Sequence, residues 1–359
     1  MNLPIISNYL ALSLICAMGF SQATSTQPAQ KQGNEENKPS TPTMQLYDVP
    51  PVKESSGETP EESADYLKLS QISEPAAGAQ LIEDFLKKYP SSKRAPLLHY
   101  GAVSIYQQLN NYDKLVEHGE KFLETSPSNI AVLSTLGLAY ASHGEVDKST
   151  EKATKAIGLL DSLAKPASVT DEARWTNQRN QFLAMNYACL GMSSYTTYEL
   201  ERKKEKELEA ANQGKPPAAV PAGTPSSKET GSEPTKQPTP HTSSKSDISL
   251  AKSLGYFTKA VEYQPRYDYA QFQLGVIYAR RSEVDKAIDA FAKAHVIGGG
   301  FASMAKQNLE VVYKVKNKNS LDGIDQVLAK AKEELPPIPP PPSAKPDPAP
   351  SEQPPGQGR

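Results

Sequence analysis

Histidine and cysteine side chains carry much of the acid–base, nucleophilic and metal chemistry of proteins, and this sequence has few of them. Its five histidines are His99, His118, His143, His241 and His295. No two of them stand with an acid at the spacing of a metal site or a general base, and the sequence has no HExxH, CxxC, GxSxG or phosphate-loop pattern. We therefore expect surface or satisfied core histidines, and no catalytic residue, metal or cofactor. An unrecognised hydrolase or transferase stays a remote alternative.

Four other features have a chemical and a structural interpretation. Cys189 is expected to be a buried inert thiol, with a reactive or intermolecular thiol as the alternative. Trp175 is expected to pack in the core, with a ligand contact as the alternative. The glycines at 298–300 suit a helix C-cap better than a phosphate loop. The run KKEKE at 203–207 suits a solvated helix end better than a partner-binding charge stripe.

These residues lie on amphipathic helices that recur along the chain. The stretch 268–299 has the pattern of two short helices joined by a tight turn, and it aligns with earlier stretches. Tyr112 aligns with Val146, 34 residues later, and the Asp-Lys pair that follows recurs at 285–286. A fixed period of this length predicts stacked helix pairs.

Small and aromatic residues occupy fixed places in these units. Gly137 and Gly275 stand three residues before Tyr140 and Tyr278. A small residue allows two helices to approach closely, and an aromatic residue one turn later fills the space beside it. Substituting Gly275 by Leu should therefore force the two helices of its repeat apart.

A 34-residue helix–turn–helix unit with this pattern resembles the tetratricopeptide repeat (TPR) family, and specifically an exported bacterial member. Repeat 4 carries the pattern at Leu274, Gly275, Tyr278, Ala287, Phe291 and Ala294. Repeat 1 departs from it, because Val103 stands where glycine is usual. The resemblance implies an all-α solenoid of antiparallel helix pairs. Composition, rather than the resemblance, predicts a disordered spacer, an internal insertion and a Pro-rich tail.

The third repeat is divided by an insertion rich in Pro, Thr, Ser and Gly, and most of the 31 prolines fall there, in the N-terminal spacer or in the tail. Such a composition buries too little surface to fold by itself. The expected organisation is a signal peptide at 1–23, a disordered spacer at 24–58, an N-terminal helix pair at 59–94, repeats 1 and 2 with the first helix of repeat 3 at 95–206, a disordered insertion at 207–247, the second helix of repeat 3 with repeat 4 at 248–299, capping helices at 300–335 and a Pro-rich disordered tail at 336–359.

In the family that this chain resembles, the first helices line a concave groove. The equivalent positions here are predominantly aromatic, small and uncharged, and the candidates for groove binding are Tyr100, Ser104, Gln107, Leu138, Met192, Tyr195, Tyr269, Phe272, Val276 and Arg280. The alternative is that some of these aromatic residues contact the cap or the next repeat. The Lys/Asn/Arg clamp of the family's chaperone-binding members is absent apart from Arg280, so a hydrophobic or extended peptide is the expected ligand.

The N-terminus predicts export. The apolar run 9–20 has the length of a signal peptide's hydrophobic region, and small residues precede a cleavage point after Ala23, although the stretch before the run has no Lys or Arg. A buried helix is the alternative. Lipidation at Cys16 is disfavoured because Ile15, rather than a small residue, precedes it. The expected location is periplasmic or secreted, without stable membrane insertion of the mature chain.

Composition adds one exclusion. The formal net charge of −2 gives no indication of nucleic-acid binding. The first hypothesis is therefore a non-enzymatic scaffold of the bacterial cell envelope that binds a protein or peptide partner in the groove. The second hypothesis is a structural component of an envelope assembly or secretion complex, which contacts its neighbours through its convex face and tails.

Overall fold

A computed structural model describes four stretches of the chain. They are residues 59–69, 74–165, 171–213 and 244–337. The predicted signal peptide, the spacer, most of the insertion and the tail beyond Pro337 lie outside the described residues.

Twelve helices run through the described residues, without a strand among them. In chain order they are α1 (Pro60–Leu69), α2 (Pro75–Lys88), α3 (Ala95–Gln108), α4 (Tyr112–Thr125), α5 (Ile130–Ser142), α6 (Val146–Ser162), α7 (Glu172–Gln213), α8 (Lys245–Tyr263), α9 (Asp268–Arg280), α10 (Val284–Ile297), α11 (Ala302–Lys316) and α12 (Ile324–Glu334).

Consecutive helices pack in pairs, and each pair packs on the next. The pairs α3/α4, α5/α6, α7/α8 and α9/α10 are repeats 1 to 4, α1 and α2 precede them, and both α11 and α12 pack on α10. The chain therefore has the all-α fold of a tetratricopeptide-repeat solenoid. The last helix closes the stack by burying Ala331 while most of its other residues remain exposed or half-buried.

Side-chain caps fix where the helices begin. The Thr59 hydroxyl accepts the amide N–H of Glu62 at 3.1 Å and caps the start of α1. The side chains of Asn111 and Asn129 likewise each accept the backbone N–H of the residue three positions later. Ser244 forms a capping box with Asp247 at the start of α8. Gly298 ends α10 with φ of 83°, so the glycines at 298–300 form a helix C-cap as predicted.

Glycine allows close packing inside the repeats. A Cβ atom added to Gly275 would lie 2.5 Å from the Phe291 ring, and one added to Gly191 would lie 2.8 Å from the Phe257 ring. The predicted close-packing role of Gly275 is confirmed. At Gly137 the nearest atom would be the Ala153 backbone nitrogen at 3.5 Å, so the equivalent place in repeat 2 has more room.

Repeat 1 exchanges the large and the small residue of this contact. Its equivalent positions hold Val103 on the first helix and Gly119 on the second, whereas repeat 4 has Gly275 and Phe291. Val103 is buried, and a Cβ atom at Gly119 would meet the Leu136 side chain at 2.8 Å. The glycine on α4 thus makes room for Leu136 of α5, so it serves the contact between repeats 1 and 2.

Helices extend into both ends of the stretch that the sequence assigns to the insertion. Helix α7 extends to Gln213, and α8 begins at Lys245. Residues 207–213 and 245–247, assigned to the insertion from sequence, are therefore helical. At the base of this hairpin Glu205 accepts the Ser246 hydroxyl at 2.6 Å, and Glu201 accepts the Ser249 hydroxyl at 2.6 Å, which holds the first turn of α8 on α7.

The interior divides into two main clusters. The N-terminal core spans α2 to α6 and includes Phe122 and Tyr140. The C-terminal core spans α5 to α12 and includes Phe257 and Phe291. A small third cluster around Leu160 and Leu183 lies between them.

Candidate functional site

A small pocket opens on the face formed by the first helices, where the end of α3 and the following turn face α5. Its volume is about 60 Å³, and its surface is predominantly apolar. The lining residues are Tyr106, Gln107, Asn110, Asn111, Tyr112, Leu115, Thr135, Leu138, Ala139, Ser142 and His143. A space of this size accepts one small side chain rather than a cofactor.

The turn between α3 and α4 shapes one wall of the pocket. Asn110 adopts φ of 53°, a left-handed conformation that asparagine tolerates better than most residues. The Asn111 N–H donates to the Tyr106 carbonyl at 3.0 Å, and the Asn111 side chain caps α4. These bonds leave the Asn110 side chain exposed at the rim.

A stacked aromatic pair forms the opposite side. The Tyr112 and His143 rings lie 3.6 Å apart at 17°, and the Tyr112 hydroxyl donates to the Glu145 carboxylate. Burial and this carboxylate raise the pKa of Tyr112, so its hydroxyl stays a neutral donor. The pair joins repeat 1 to repeat 2 and therefore holds the pocket walls at a fixed separation.

The predicted groove residues of repeats 1 and 2 lie on this face. Gln107 and Leu138 line the pocket. Ser104 and Tyr100 lie on α3 one and two turns before Gln107, respectively, and both are half-buried. The Tyr100 ring packs against Phe122 with centroids 5.1 Å apart. Ligand binding by these four residues stays a prediction.

The predicted groove residues of repeats 3 and 4 are mostly enclosed. Met192, Tyr195, Tyr269 and Val276 are each less than 10% exposed. The Tyr269 ring contacts Phe301, which follows α10, with centroids 4.9 Å apart. For Tyr195 and Tyr269 this burial agrees with the alternative of packing within the chain, and ligand binding by all four residues stays a prediction. Phe272 is half-buried against Phe301 and Phe291.

Arg280 is paired within the chain. Its Nη2 atom donates to Glu199 of α7 at 3.1 Å, and its buried Nε atom has no hydrogen-bond partner among the described residues. The guanidinium is therefore partly neutralised by a carboxylate of the same protein. Ligand binding by Arg280 stays a prediction.

A polar network that sequence spacing did not reveal crosses the N-terminal core. His118 is 1% exposed, and its Nε2 atom lies 3.1 Å from Glu83 of α2. Its Nδ1 atom lies 2.8 Å from Nδ1 of His99, so one ring donates and the other accepts. The Tyr106 hydroxyl and the Lys114 ammonium donate to the same Glu83 oxygen at 2.8 and 2.9 Å.

This network has a defined charge state. Burial alone would raise the pKa of the Glu83 carboxyl, but hydrogen bonds from Lys114, His118 and Tyr106 outweigh it and lower the pKa to about 2. Burial and the neighbouring His118 lower the pKa of His99 to about 4. The network therefore contains an ionised Glu83 and a neutral His99 near pH 7, and His118 lies too deep to reach a substrate.

One sign of this network is present in the sequence. Tyr140, equivalent to Tyr106 in repeat 2, also donates to a glutamate of the preceding second helix, Glu120, at 2.7 Å. The repeated tyrosine could thus have suggested a carboxylate partner. The histidine pair could not be foreseen, because its two residues lie on different helices and are 19 positions apart along the chain.

Cys189 and Trp175, the other residues considered for chemistry, are both buried in the protein interior. Cys189 is free and buried, and burial raises the pKa of its thiol to about 12. Trp175 is also buried. Across the described stretches, no group of three or more His, Cys, Asp or Glu side chains is arranged to hold a metal ion. None of the described helices combines the length and apolar composition that a membrane-spanning helix requires.

Comparison with known proteins finds similarity at the level of fold. No family model matches the sequence, and no curated protein matches it. The solved structure of the MamA protein is 17% identical, covers 69% of this chain and 100% of its own, and has a TM-score of 0.37. The thermophilic TPR protein TTC0263 of Thermus thermophilus is 18% identical, covers 67% of this chain and 91% of its own, and has a TM-score of 0.38. PilW, a type IV pilus biogenesis factor, is 13% identical, covers 76% of this chain and 100% of its own, and has a TM-score of 0.36. Because these TM-scores are below 0.5, the assignment of the TPR fold rests on the helix pairs described above.

Proposed function

We propose that this protein is a non-enzymatic scaffold that binds a protein or peptide partner through the pocket between α3 and α5. The observation that carries the proposal is that Gln107 and Leu138, chosen from sequence as groove residues, line one pocket on the face of the first helices. A rigid helical scaffold that leaves one such pocket between its repeats suits recognition of an extended segment.

The lining suggests how a peptide would bind. Leu138, Ala139 and Leu115 offer an apolar floor for one small side chain. Gln107, Thr135 and Ser142 offer amide and hydroxyl groups at the rim, which can pair with a peptide backbone. The neutral lining favours an uncharged residue of the partner over a terminal carboxylate.

Photocrosslinking in the source cell tests this proposal. A photoreactive residue at Gln107 should capture a discrete partner, and the same residue at the exposed Lys155 of α6 should not. Leu138→Asp should abolish capture from Gln107, because the charge would be desolvated by the bound side chain. Identical products from positions 107 and 155, or capture that survives Leu138→Asp, would contradict the proposal.

We further propose that the scaffold acts in the bacterial cell envelope, as a periplasmic or secreted protein. The support is the apolar run at 9–20, which is followed by small residues before a cleavage point after Ala23. Mass spectrometry of the chain isolated from cells should find a mature N-terminus at residue 24. Recovery of the intact leader in a cytosolic fraction would contradict this location.

A second candidate function is a structural part of an envelope assembly, for which the hairpin of α7 and α8 is the supporting observation. Leu200, Leu208 and Ile248 are large apolar residues that remain exposed on this hairpin, with Leu208 64% exposed. Their replacement by serine should then disrupt assembly while leaving capture from Gln107 intact. Unchanged assembly after these serine substitutions would favour binding through the pocket as the only function.

A further inference from the structure

Three tyrosines form a stacked surface on α7 and α8, on which the third repeat meets the second. The Tyr187 and Tyr263 rings are nearly parallel, 5.6 Å apart at 7°, and Tyr256 lies 6.5 Å from Tyr187 at 28°. All three residues are half-buried, so each ring keeps part of its surface in solvent. We call Tyr187, Tyr256 and Tyr263 the tyrosine face.

Apolar residues surround this face. Ile157 and Leu163 of the second repeat and Phe182 of α7 are half-buried beside the tyrosines. The Lys259 ammonium lies 5.0 Å from the Tyr187 centroid, at the same surface. Aromatic and aliphatic side chains of the second and third repeats thus surround the tyrosine face, and none of them lines the pocket of Gln107 and Leu138.

The last described residues of the chain lie beside the loop that follows α8. The Arg266 guanidinium donates to the Pro336 carbonyl at 3.0 Å, and Arg266 follows Tyr263 by only three residues. Pro337 is the last described residue. The segment that follows, 338–359, begins Ile-Pro-Pro-Pro-Pro and contains five further prolines. Arg266 therefore holds the beginning of this segment three residues along the chain from Tyr263, the last residue of α8.

The dimensions allow the segment to cover the face. Tyr256 and Tyr263 are two helical turns apart, about 10 Å along α8 at 1.5 Å per residue. A proline-rich segment in the polyproline II conformation advances about 3.1 Å per residue, so the first few prolines span that distance. A segment tethered at its start also has an effective local concentration of about millimolar, which makes a weak contact sufficient.

We propose that the segment 338–359 docks in cis on the tyrosine face, with its prolines packed against the rings of Tyr187, Tyr256 and Tyr263. Flat aromatic surfaces bind polyproline II because this conformation is preorganised and exposes its pyrrolidine rings and carbonyls. Tyrosine suits such a ligand, since its ring packs on proline while its hydroxyl donates to a carbonyl. The segment would then cover the tyrosine face without occupying the pocket of the proposed function.

Intramolecular crosslinking of the full chain tests this proposal. A photoreactive residue at Ser343 should crosslink to residues 256–263 and to α7 near Tyr187. A mixture of isotopically light and heavy chains separates contacts within a chain from contacts between chains. Tyr256→Ser, or serine at all four of Pro339 to Pro342, should lower this crosslink roughly tenfold.

Tyr278→Ser provides the matched control. Tyr278 is also half-buried beneath a lysine, with Lys286 Nζ 5.4 Å from its centroid, but it lies on α9. This substitution should leave the crosslink from Ser343 unchanged, and helical circular dichroism checks that each variant is folded. Crosslinks that scatter over the surface, that reach Gln107 instead, or that join light to heavy chains would each overturn docking in cis.

Discussion

Repeats 1 and 2 leave a pocket between their first helices, whereas repeats 3 and 4 fill the same space with their own side chains. Gln107 and Leu138 line open volume. Their equivalents in the second half, Tyr195 and Val276, are buried. The repeat pattern thus determines how the helices pack, but the size of neighbouring residues determines which positions remain available to a ligand.

The contents of the two cores differ in the same way. The N-terminal core contains the Glu83–His118–His99 network, and its signature tyrosines donate to carboxylates. The C-terminal core is built from alanines and aromatic rings, with glycines in direct contact with phenylalanines. We infer that the first half combines recognition with polar specificity, and that the second half supplies tight packing.

The largest predicted effects separate the two cores. Phe122→Ala and Phe291→Ala each remove a fully buried ring, and each should lower the free energy of unfolding by about 3–5 kcal/mol. Because repeats in a solenoid contact mainly their neighbours, local opening should stay in the mutated half. Peptide-level hydrogen exchange should show faster exchange in α3–α5 for Phe122→Ala and in α8–α10 for Phe291→Ala.

Leu208→Ala is the control for both variants, because Leu208 is exposed on α7. It should change the free energy of unfolding by no more than about 0.5 kcal/mol. Uniform acceleration of exchange along the whole chain in either phenylalanine variant would show one cooperative unit and would remove the distinction between the halves.

Matched glycine substitutions test the difference in packing. Gly275→Ala places a Cβ atom against the Phe291 ring and should cost about 1–3 kcal/mol of stability. Gly137→Ala finds ordinary contact distances and should be neutral, or stabilising by up to about 1 kcal/mol through helix propensity. Thermal unfolding midpoints should therefore move in different directions or by clearly different amounts, and equal destabilisation would contradict the comparison.

The sequence predicts the periodic part of this molecule well. Residues such as Gly275 and Gly298 have roles that depend on a few neighbours along one helix pair, and spacing is sufficient to find them. The sequence left the burial of Tyr269 open, because it depends on Phe301, which precedes α11 and lies 32 residues further along the chain. The pairing of Arg280 with Glu199 joins residues 81 positions apart, for which no local pattern exists.

Acid should weaken the first half selectively. The pKa of His99 falls from about 6.5 to about 4 on folding, so the unfolded chain binds the extra proton over this range. Stability is therefore complete above pH 6.5 and decreases as the pH falls towards 4, since a second proton breaks the contact between the two Nδ1 atoms. Below about pH 4.5, protonation of Glu83 adds a further loss as the pH approaches 2.

Hydrogen exchange in α3 and α4 at pH values between 6.5 and 4, corrected for intrinsic rates, measures this loss. His99→Gln should abolish the dependence in this window, because glutamine does not titrate. Exchange in α9 and α10 provides the internal control. An equal pH dependence in both halves, or one that survives His99→Gln, would exclude the histidine pair as its cause.

The smallest predicted effect is the coupling energy of an ion pair in the second half of the molecule. Arg280 and Glu199 are 25% and 34% exposed, and such a partly solvated pair contributes about 0.2–1 kcal/mol. A double-mutant cycle of Arg280→Gln and Glu199→Gln, followed by urea unfolding, should give a coupling energy in this range. If the second half is structural, Glu199→Gln should also leave capture from Gln107 unchanged, although it frees a guanidinium on the same face. Loss of that capture would mean that Arg280 takes part in recognition, and that the ligand extends over both halves.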